Sequence, residues 1–283
     1  MLSDEQIDHF KIFGFVVLRQ LLSPEETRTI QAEFERGRVA TLKSAPNAGS
    51  ASLTQWSNLK PESPFIAGLL EDPRFCGAAE QLLGDDCVAV YTNSNRRGGD
   101  THWHPDTPDP SIRGFKFTTY LRSLSADTGA LRVVPGSHVR PFHDEVSRAI
   151  ETCRLALADV PFHVCAVEPG DVIAFDMRLF HAAKDPSEDR RQLTFCYLAD
   201  PETPEERKAV LQLAREMAAT HRHTGAPPPH YHPDWLANPQ ASARRQLWIE
   251  RIGEWGLLEA SDRMSSPELC ARPATSRLAQ AGD

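Results

Sequence analysis

The chain has 283 residues, long enough to bury a substantial core in one large domain or two small ones. With 40% hydrophobic and 25% charged residues and no apolar run of membrane-spanning length, it reads as a soluble globular protein with no place in a bilayer. A formal charge of −8 without a dense lysine or arginine tract leaves no electrostatic footprint for nucleic acid or anionic lipid, so the expected partner is a small molecule.

Chain order begins with Ser3-Asp4-Glu5-Gln6, a capping box, followed by Ile7 and Phe10 at helical spacing and by Gly14 as the stop. Phe15-Val16-Val17-Leu18 is a short run of strand formers, and Ser23-Pro24-Glu25-Glu26 restarts a helix with proline at its first position. From Gly37 to Pro64 the sequence turns polar and irregular and predicts a long loop; Phe65 to Leu83 predicts a helix ended by Gly84. Six strands are then expected: Val88 to Ser94, His102 to Asp106, Phe115 to Leu121, Leu131 to Val134, Val172 to Phe175 and Gln192 to Leu198. In the third of these, alternation puts Lys116, Thr118 and Tyr120 on one face and Phe115, Phe117 and Thr119 on the other, one of which lines the interior. Past Asp200 the chain returns to helix at Pro204 to His221 and Ala241 to Leu258, separated by a stretch rich in proline and histidine. The residues from Ser261 on predict a frayed tail.

The expected organisation is one domain over 1–283: a helical part with its polar loop at 1–85, a β core at 86–200, a helical part at 201–260 and the tail at 261–283. Six cysteines without CxxC spacing predict reduced thiols rather than a zinc knuckle or a disulfide framework. The opening MLSDEQIDHF has no basic region followed by an apolar stretch, so the cytoplasm is the expected location. Nothing in the sequence speaks to oligomeric state.

Chemistry concentrates in Trp103-His104-Pro105-Asp106. Residues two apart on an extended segment point to the same side, so imidazole and carboxylate can meet one cation. A third ligand is offered by His181, 77 residues beyond His104 and just past a strand. Two histidines and one carboxylate make the facial triad of non-haem iron(II) oxygenases, which leaves coordination positions open. His-x-Asp alone also occurs by chance among packed histidines. A second His-Pro-Asp triplet at His232-Pro233-Asp234, near His221, His223 and His230, has no later histidine to complete it and is read as a loop.

The surroundings add a resemblance. Trp103 to Asp106, Asp127-Thr128-Gly129-Ala130-Leu131-Arg132-Val133-Val134-Pro135-Gly136-Ser137-His138, Glu168-Pro169-Gly170-Asp171, His181 and Arg190-Arg191 occur in that order, after an N-terminal Gly14-Phe15-Val16-Val17. Together they resemble the phytanoyl-CoA dioxygenase family of iron(II)/2-oxoglutarate oxygenases, over roughly residues 3 to 200. The resemblance implies a mainly β fold with flanking helices, a double-stranded β-helix or jelly roll, with Fe(II) held by His104, Asp106 and His181 at one mouth. It also implies 2-oxoglutarate and O2 as co-substrates, release of succinate and CO2, and oxidation of an unactivated C–H bond, most simply hydroxylation. The far carboxylate of 2-oxoglutarate then requires an arginine after the distal histidine, for which Arg190 and Arg191 compete; the strand pattern favours Arg190. Asn93 and Thr118 are further candidates for polar contacts to 2-oxoglutarate. Asp127, Gly129 and the Pro135 to His138 segment read as turn chemistry. A carboxylate at Asp106 argues against halogenation, whereas desaturation, cyclisation and epoxidation remain open. Trp56, Arg96, Arg97, His102 and Trp235 are candidate substrate-lining residues.

Overall fold

The computed structural model describes residues 1–44, 53–84, 86–153, 159–184, 189–223 and 231–258. Helix α1 (Asp4–Phe13) opens on the expected capping box, with Ser3 Oγ accepting from Gln6 N–H and the Gln6 side chain accepting from Ser3 N–H, and closes on Gly14 in the left-handed conformation at φ 80°. Strand β1 (Phe15–Leu18) follows. Helix α2 (Pro24–Ser44) is capped in the same way by Ser23 and Glu26.

The polar loop expected from Gly37 to Pro64 is largely replaced by regular structure. Helix α2 runs on through Gly37 to Ser44, and β2 (Leu53–Ser57) lies inside the stretch; residues 45–52 are outside the described set. Composition misleads there because glycine at 37 serves packing: a Cβ would come within 2.5 Å of Trp56 Nε1. The single helix expected over Phe65 to Leu83 is broken into α3 (Pro64–Gly68), a 3-10 turn at Leu69–Glu71 and α4 (Pro73–Leu83). Asp72, which caps α4 through Arg74 N–H at 2.9 Å, and Pro73 make the break. The start of α3 is held by the buried Glu33, whose carboxylate accepts from Phe65 N–H (3.0 Å) and Ile66 N–H (2.8 Å).

The remaining strands are β3 (Val88–Arg97), β4 (Thr101–His104), β5 (Gly114–Tyr120), β6 (Leu131–Val133), β7 (His163–Cys165), β8 (Val172–Asp176), β9 (His181–Ala183) and β10 (Arg190–Leu198). Helix α5 (Phe142–Cys153) is inserted between β6 and β7, and α6 (Pro204–His223), α7 (Pro233–Leu236) and α8 (Ala243–Glu254) follow the core. All strand pairing is antiparallel, in a six-stranded sheet ordered β1-β8-β5-β10-β3-β2 and a four-stranded sheet ordered β4-β9-β6-β7. This is the two-sheet arrangement of a jelly roll. The outer face of the large sheet buries Phe117, Phe195 and Tyr197 against Ile30, Phe34, Phe75, Trp248 and Ile252 of the helices, in one cluster that takes in residues from Leu2 to Leu257. A second cluster, with Phe15, Tyr120, Leu131 and Phe175, lies between the sheets. Among the described residues no helix is long and apolar enough to cross a membrane.

Candidate active site

Strand β4 was expected to extend to Asp106 but ends at His104, because Pro105 cannot continue the ladder. Asp106 is positioned instead by its backbone: Asp106 N–H (2.8 Å) and Thr107 N–H (3.1 Å) both donate to Met177 O, in the connection between β8 and β9. His104 and His181 face each other in the β4–β9 register, their rings 4.4 Å apart. The same connection therefore holds Asp106 and delivers His181.

The Pro135 to His138 turn braces this region, as its sequence suggested. Ser137 Oγ accepts from Phe180 N–H at 2.9 Å, immediately before His181, while Gly136 N–H donates to Phe13 O and His138 Nε2 bonds Lys11 O at 3.1 Å. The Glu168 to Asp171 turn is likewise structural: Asp171 accepts from Gln20 N–H and Glu168 N–H and pairs with Arg19 at 2.7 Å.

The ligand atoms of His104, Asp106 and His181 lie within 4.8 Å of one another. His104 Nδ1 bonds His102 O at 2.7 Å and His181 Nδ1 bonds Leu179 O at 2.9 Å. Carbonyls can only accept, so both Nδ1 atoms carry the proton and both Nε2 lone pairs are left for a metal. Burial, and secondarily the neighbouring His104, push the His181 imidazole down to about 4, so it is neutral near pH 7. One oxygen of Asp106 pairs with Lys116 Nζ at 2.5 Å, while Oδ2 is buried with no hydrogen-bond partner among the described residues. Burial raises the Asp106 pKa, but Lys116 and the two imidazoles outweigh it and hold the carboxyl below its ordinary value. Two imidazoles with Nε2 turned inward, a carboxylate held below its ordinary pKa and its orphaned buried oxygen fit a divalent transition metal.

The triad opens on a cavity of about 420 Å³ between the sheets. Of the two competing arginines, Arg190 lines it: its side chain is buried and, among the described residues, bonds only Gly129 O at 3.3 Å and leaves Nε without a partner. Arg191 points the other way to Asp189 (2.8 Å) and Glu35 (3.1 Å). Asn93 lines the cavity. Thr118 does not, since its hydroxyl donates to Leu193 O at 3.0 Å and accepts from Gln192 Nε2 at 2.8 Å, so it reaches the cavity only through Gln192. Lys116, Tyr91, Gln192 and Glu216 also line the cavity, and sequence reasoning assigned none of them a role. Lys116 was already on the face opposite Phe117, and extending that alternation to neighbouring strands would have found Tyr91 and Gln192.

Of the candidate substrate-lining residues only Arg97 is in the cavity wall. Trp56 is buried against Phe34 and Trp235 sits in the helical core, since both indoles complete packing beneath the large sheet. His102 is exposed, and Arg96 pairs with Asp189 at 2.7 Å. His232 caps α7 by accepting from Asp234 N–H at 3.2 Å, so the second His-Pro-Asp triplet is a helix start rather than a loop. His230 and the side chains of His221 and His223 lie outside the described residues.

Fold and site together define a jelly roll with a His-Asp-His cluster at the mouth of an arginine-floored cavity. The phytanoyl-CoA dioxygenase (PhyH) family model matches residues 10–193, and the chain belongs to that family. It is 29% identical over 153 residues to an ectoine dioxygenase of Bordetella bronchiseptica, covering 48% of this chain and 50% of the relative. It is 31% identical over 152 residues to one of Nocardia farcinica, covering 47% and 50%. The chain thus spans about half the length of the curated relatives it matches. Among solved structures, HygX from Streptomyces hygroscopicus with nickel and 2-oxoglutarate bound superposes with a TM-score of 0.58 at 21% identity, over 73% of this chain and 94% of that one. EctD from S. alaskensis with 2-oxoglutarate and 5-hydroxyectoine gives 0.54 at 22%, over 70% and 77%. These likenesses bear out the expected jelly-roll fold.

Proposed function

We propose that this chain is an iron(II)- and 2-oxoglutarate-dependent dioxygenase that hydroxylates an unactivated C–H bond of a small molecule. The observation that carries the reading is the pairing of two unfilled demands in one cavity: the orphaned Asp106 Oδ2 beside two Nε2 lone pairs, and the buried Arg190 guanidinium with a free Nε–H. His104, Asp106 and His181 hold the metal. Arg190 binds the far carboxylate of 2-oxoglutarate, with Asn93 as a further polar contact and Thr118 acting through Gln192. When bound, iron with 2-oxoglutarate and O2 supplies the oxidising power, with succinate and CO2 as the by-products.

The chain's own residues place and shield that chemistry. Lys116 occupies one Asp106 oxygen and so orients the other toward the metal. Phe175, against the His181 ring at 5.0 Å, and Met177 keep water from that side. The continuous buried cluster from Leu2 to Leu257 supports one oxygenase domain rather than two. Cys76, Cys87, Cys165 and Cys196 are buried outside any disulfide, which suits a reducing compartment such as the cytoplasm, where ferrous iron also persists.

The test is succinate release by purified protein given iron(II), 2-oxoglutarate and O2, compared with His104→Ala. Wild type should turn over 2-oxoglutarate, slowly even without substrate, and the variant should lose both turnover and iron binding. Iron binding that survives His104→Ala would refute the ligand assignment. Metal-free wild type with no turnover would instead make the chain a jelly-roll binding protein.

A further inference from the structure

Along the inner face of β3, the period of two that brings Tyr91, Asn93 and Asn95 into the cavity wall continues to Arg97, directly opposite Arg190 in the β3–β10 register. Arg97 is half-buried and its guanidinium, among the described residues, has neither a hydrogen-bonded nor an ion-paired partner. Two guanidiniums thus share one end of the cavity, and among the described residues only the Gly129 carbonyl answers either of them. Burial, and then the charge of Arg190, pull Arg97 below its ordinary value. Asn95 belongs to the same wall: it pairs with Gln55 of β2 across the ladder, and its Oδ1 is buried without a partner.

The two guanidiniums at this end of the cavity point to what would complete the wall. If 2-oxoglutarate chelates the metal through one carboxylate, its other carboxylate brings a single negative charge to Arg190. The second guanidinium is left over. We propose that Arg97, flanked by Asn95, is the subsite for a carboxylate of the substrate, so that the enzyme oxidises a carboxylate-bearing small molecule. This rests on the oxygenase reading above. The guanidinium fork matches the two oxygens of a carboxylate, and the Asn95 oxygen favours an N–H or O–H beside that carboxylate.

The experiment uses the full chain loaded with iron(II) and 2-oxoglutarate without oxygen. Lactate, 3-hydroxybutyrate, alanine and proline are each titrated beside the corresponding primary amide, and binding is read from the visible charge-transfer band of the iron–2-oxoglutarate chelate. At least one acid should perturb the band at about ten- to a hundredfold lower concentration than its amide, the worth of a charge-assisted hydrogen-bonded pair. Arg97→Gln should erase that preference while changing 2-oxoglutarate affinity less than about threefold, and Arg190→Gln should do the reverse. Arg97→Lys, which keeps the charge but loses the fork, should retain part of the preference. The proposal is overturned if Arg97→Gln weakens 2-oxoglutarate as much as Arg190→Gln, which would give both arginines to the co-substrate, or if wild type prefers no acid over its amide. Absence of the band in wild type would sink the oxygenase reading itself, an outcome distinct from either.

Discussion

Strands β4, β6, β7 and β9 are three or four residues long, whereas β3, β5 and β10 run for seven to ten. The short sheet carries both imidazoles of the triad, and the long one carries Lys116, Asn93, Arg97 and Arg190. The long strands hold their side chains in register by ladder pairing and by a helical layer packed behind them. The short strands cannot, and their imidazoles are fixed from turns: Ser137 against Phe180, Met177 against Asp106, and backbone carbonyls on both Nδ1 atoms. Stability should therefore reside mainly in the large sheet and metal geometry mainly in the turns, so that the two can be damaged separately.

The largest effect on stability should follow Phe117→Ala. Phe117 is fully buried on the outer face of β5, its ring 5.0 Å from both Phe75 and Phe115, and faces away from the cavity. Removing it should cost about 3–5 kcal/mol in a urea titration, while protein that remains folded keeps its iron affinity. A large loss of iron affinity in the folded fraction would break the separation. Next comes Glu33→Ala, which strands the half-buried Phe65 N–H and the buried Ile66 N–H at the start of α3 and should cost about 2–4 kcal/mol, again without touching the metal.

Ser137→Ala probes the other side. It removes the acceptor for Phe180 N–H one residue before His181, and should lower iron(II) or cobalt(II) affinity about tenfold while costing only about 1 kcal/mol of stability. A unchanged metal affinity with a large stability loss would reverse the assignment of roles between the sheets.

The same contrast governs what could be read in advance. His104, Asp106 and His181 were legible because one cation needs those residue types whatever the fold around them. The choice between Arg190 and Arg191 required knowing which neighbour on β10 faces inward, and three dimensions supply that directly. Helix α5 left a signal in the spacing of Val146 and Ile150, whereas β7 and β9 are too short to show a period. Trp56 and Gly37 misled for one reason: each was read for its own chemistry, and their role is the close contact between α2 and β2. The cationic end of the cavity is assembled from residues over 90 positions apart, Arg97 and Arg190, which no local pattern joins.

The smallest effect belongs to an ion-pair cluster remote from both sheets' functional faces. Glu26, at the start of α2, accepts from Arg74 at 2.5 Å, and Arg74 also holds Asp72 at 2.7 Å, which ties the first turns of α2 and α4 together. The hydrogen bond from Arg74 brings Glu26 from 4.5 down to about 2. A carboxylate whose folded pKa is depressed contributes stability above its unfolded value and loses it as pH falls toward the folded one. Glu26→Gln should therefore destabilise by about 1 kcal/mol near neutrality, discounted because Glu26 is partly exposed and Arg74 keeps Asp72 as a partner. The difference between wild type and variant should stay constant above about pH 5 and vanish as pH falls from about 4.5 to about 2. Urea titrations at a series of pH values give this directly, and a difference that persists at pH 2 would mean that Glu26 acts by packing rather than by charge. Iron affinity should be the same in both proteins at every pH, since nothing in this cluster touches the turns that hold the triad.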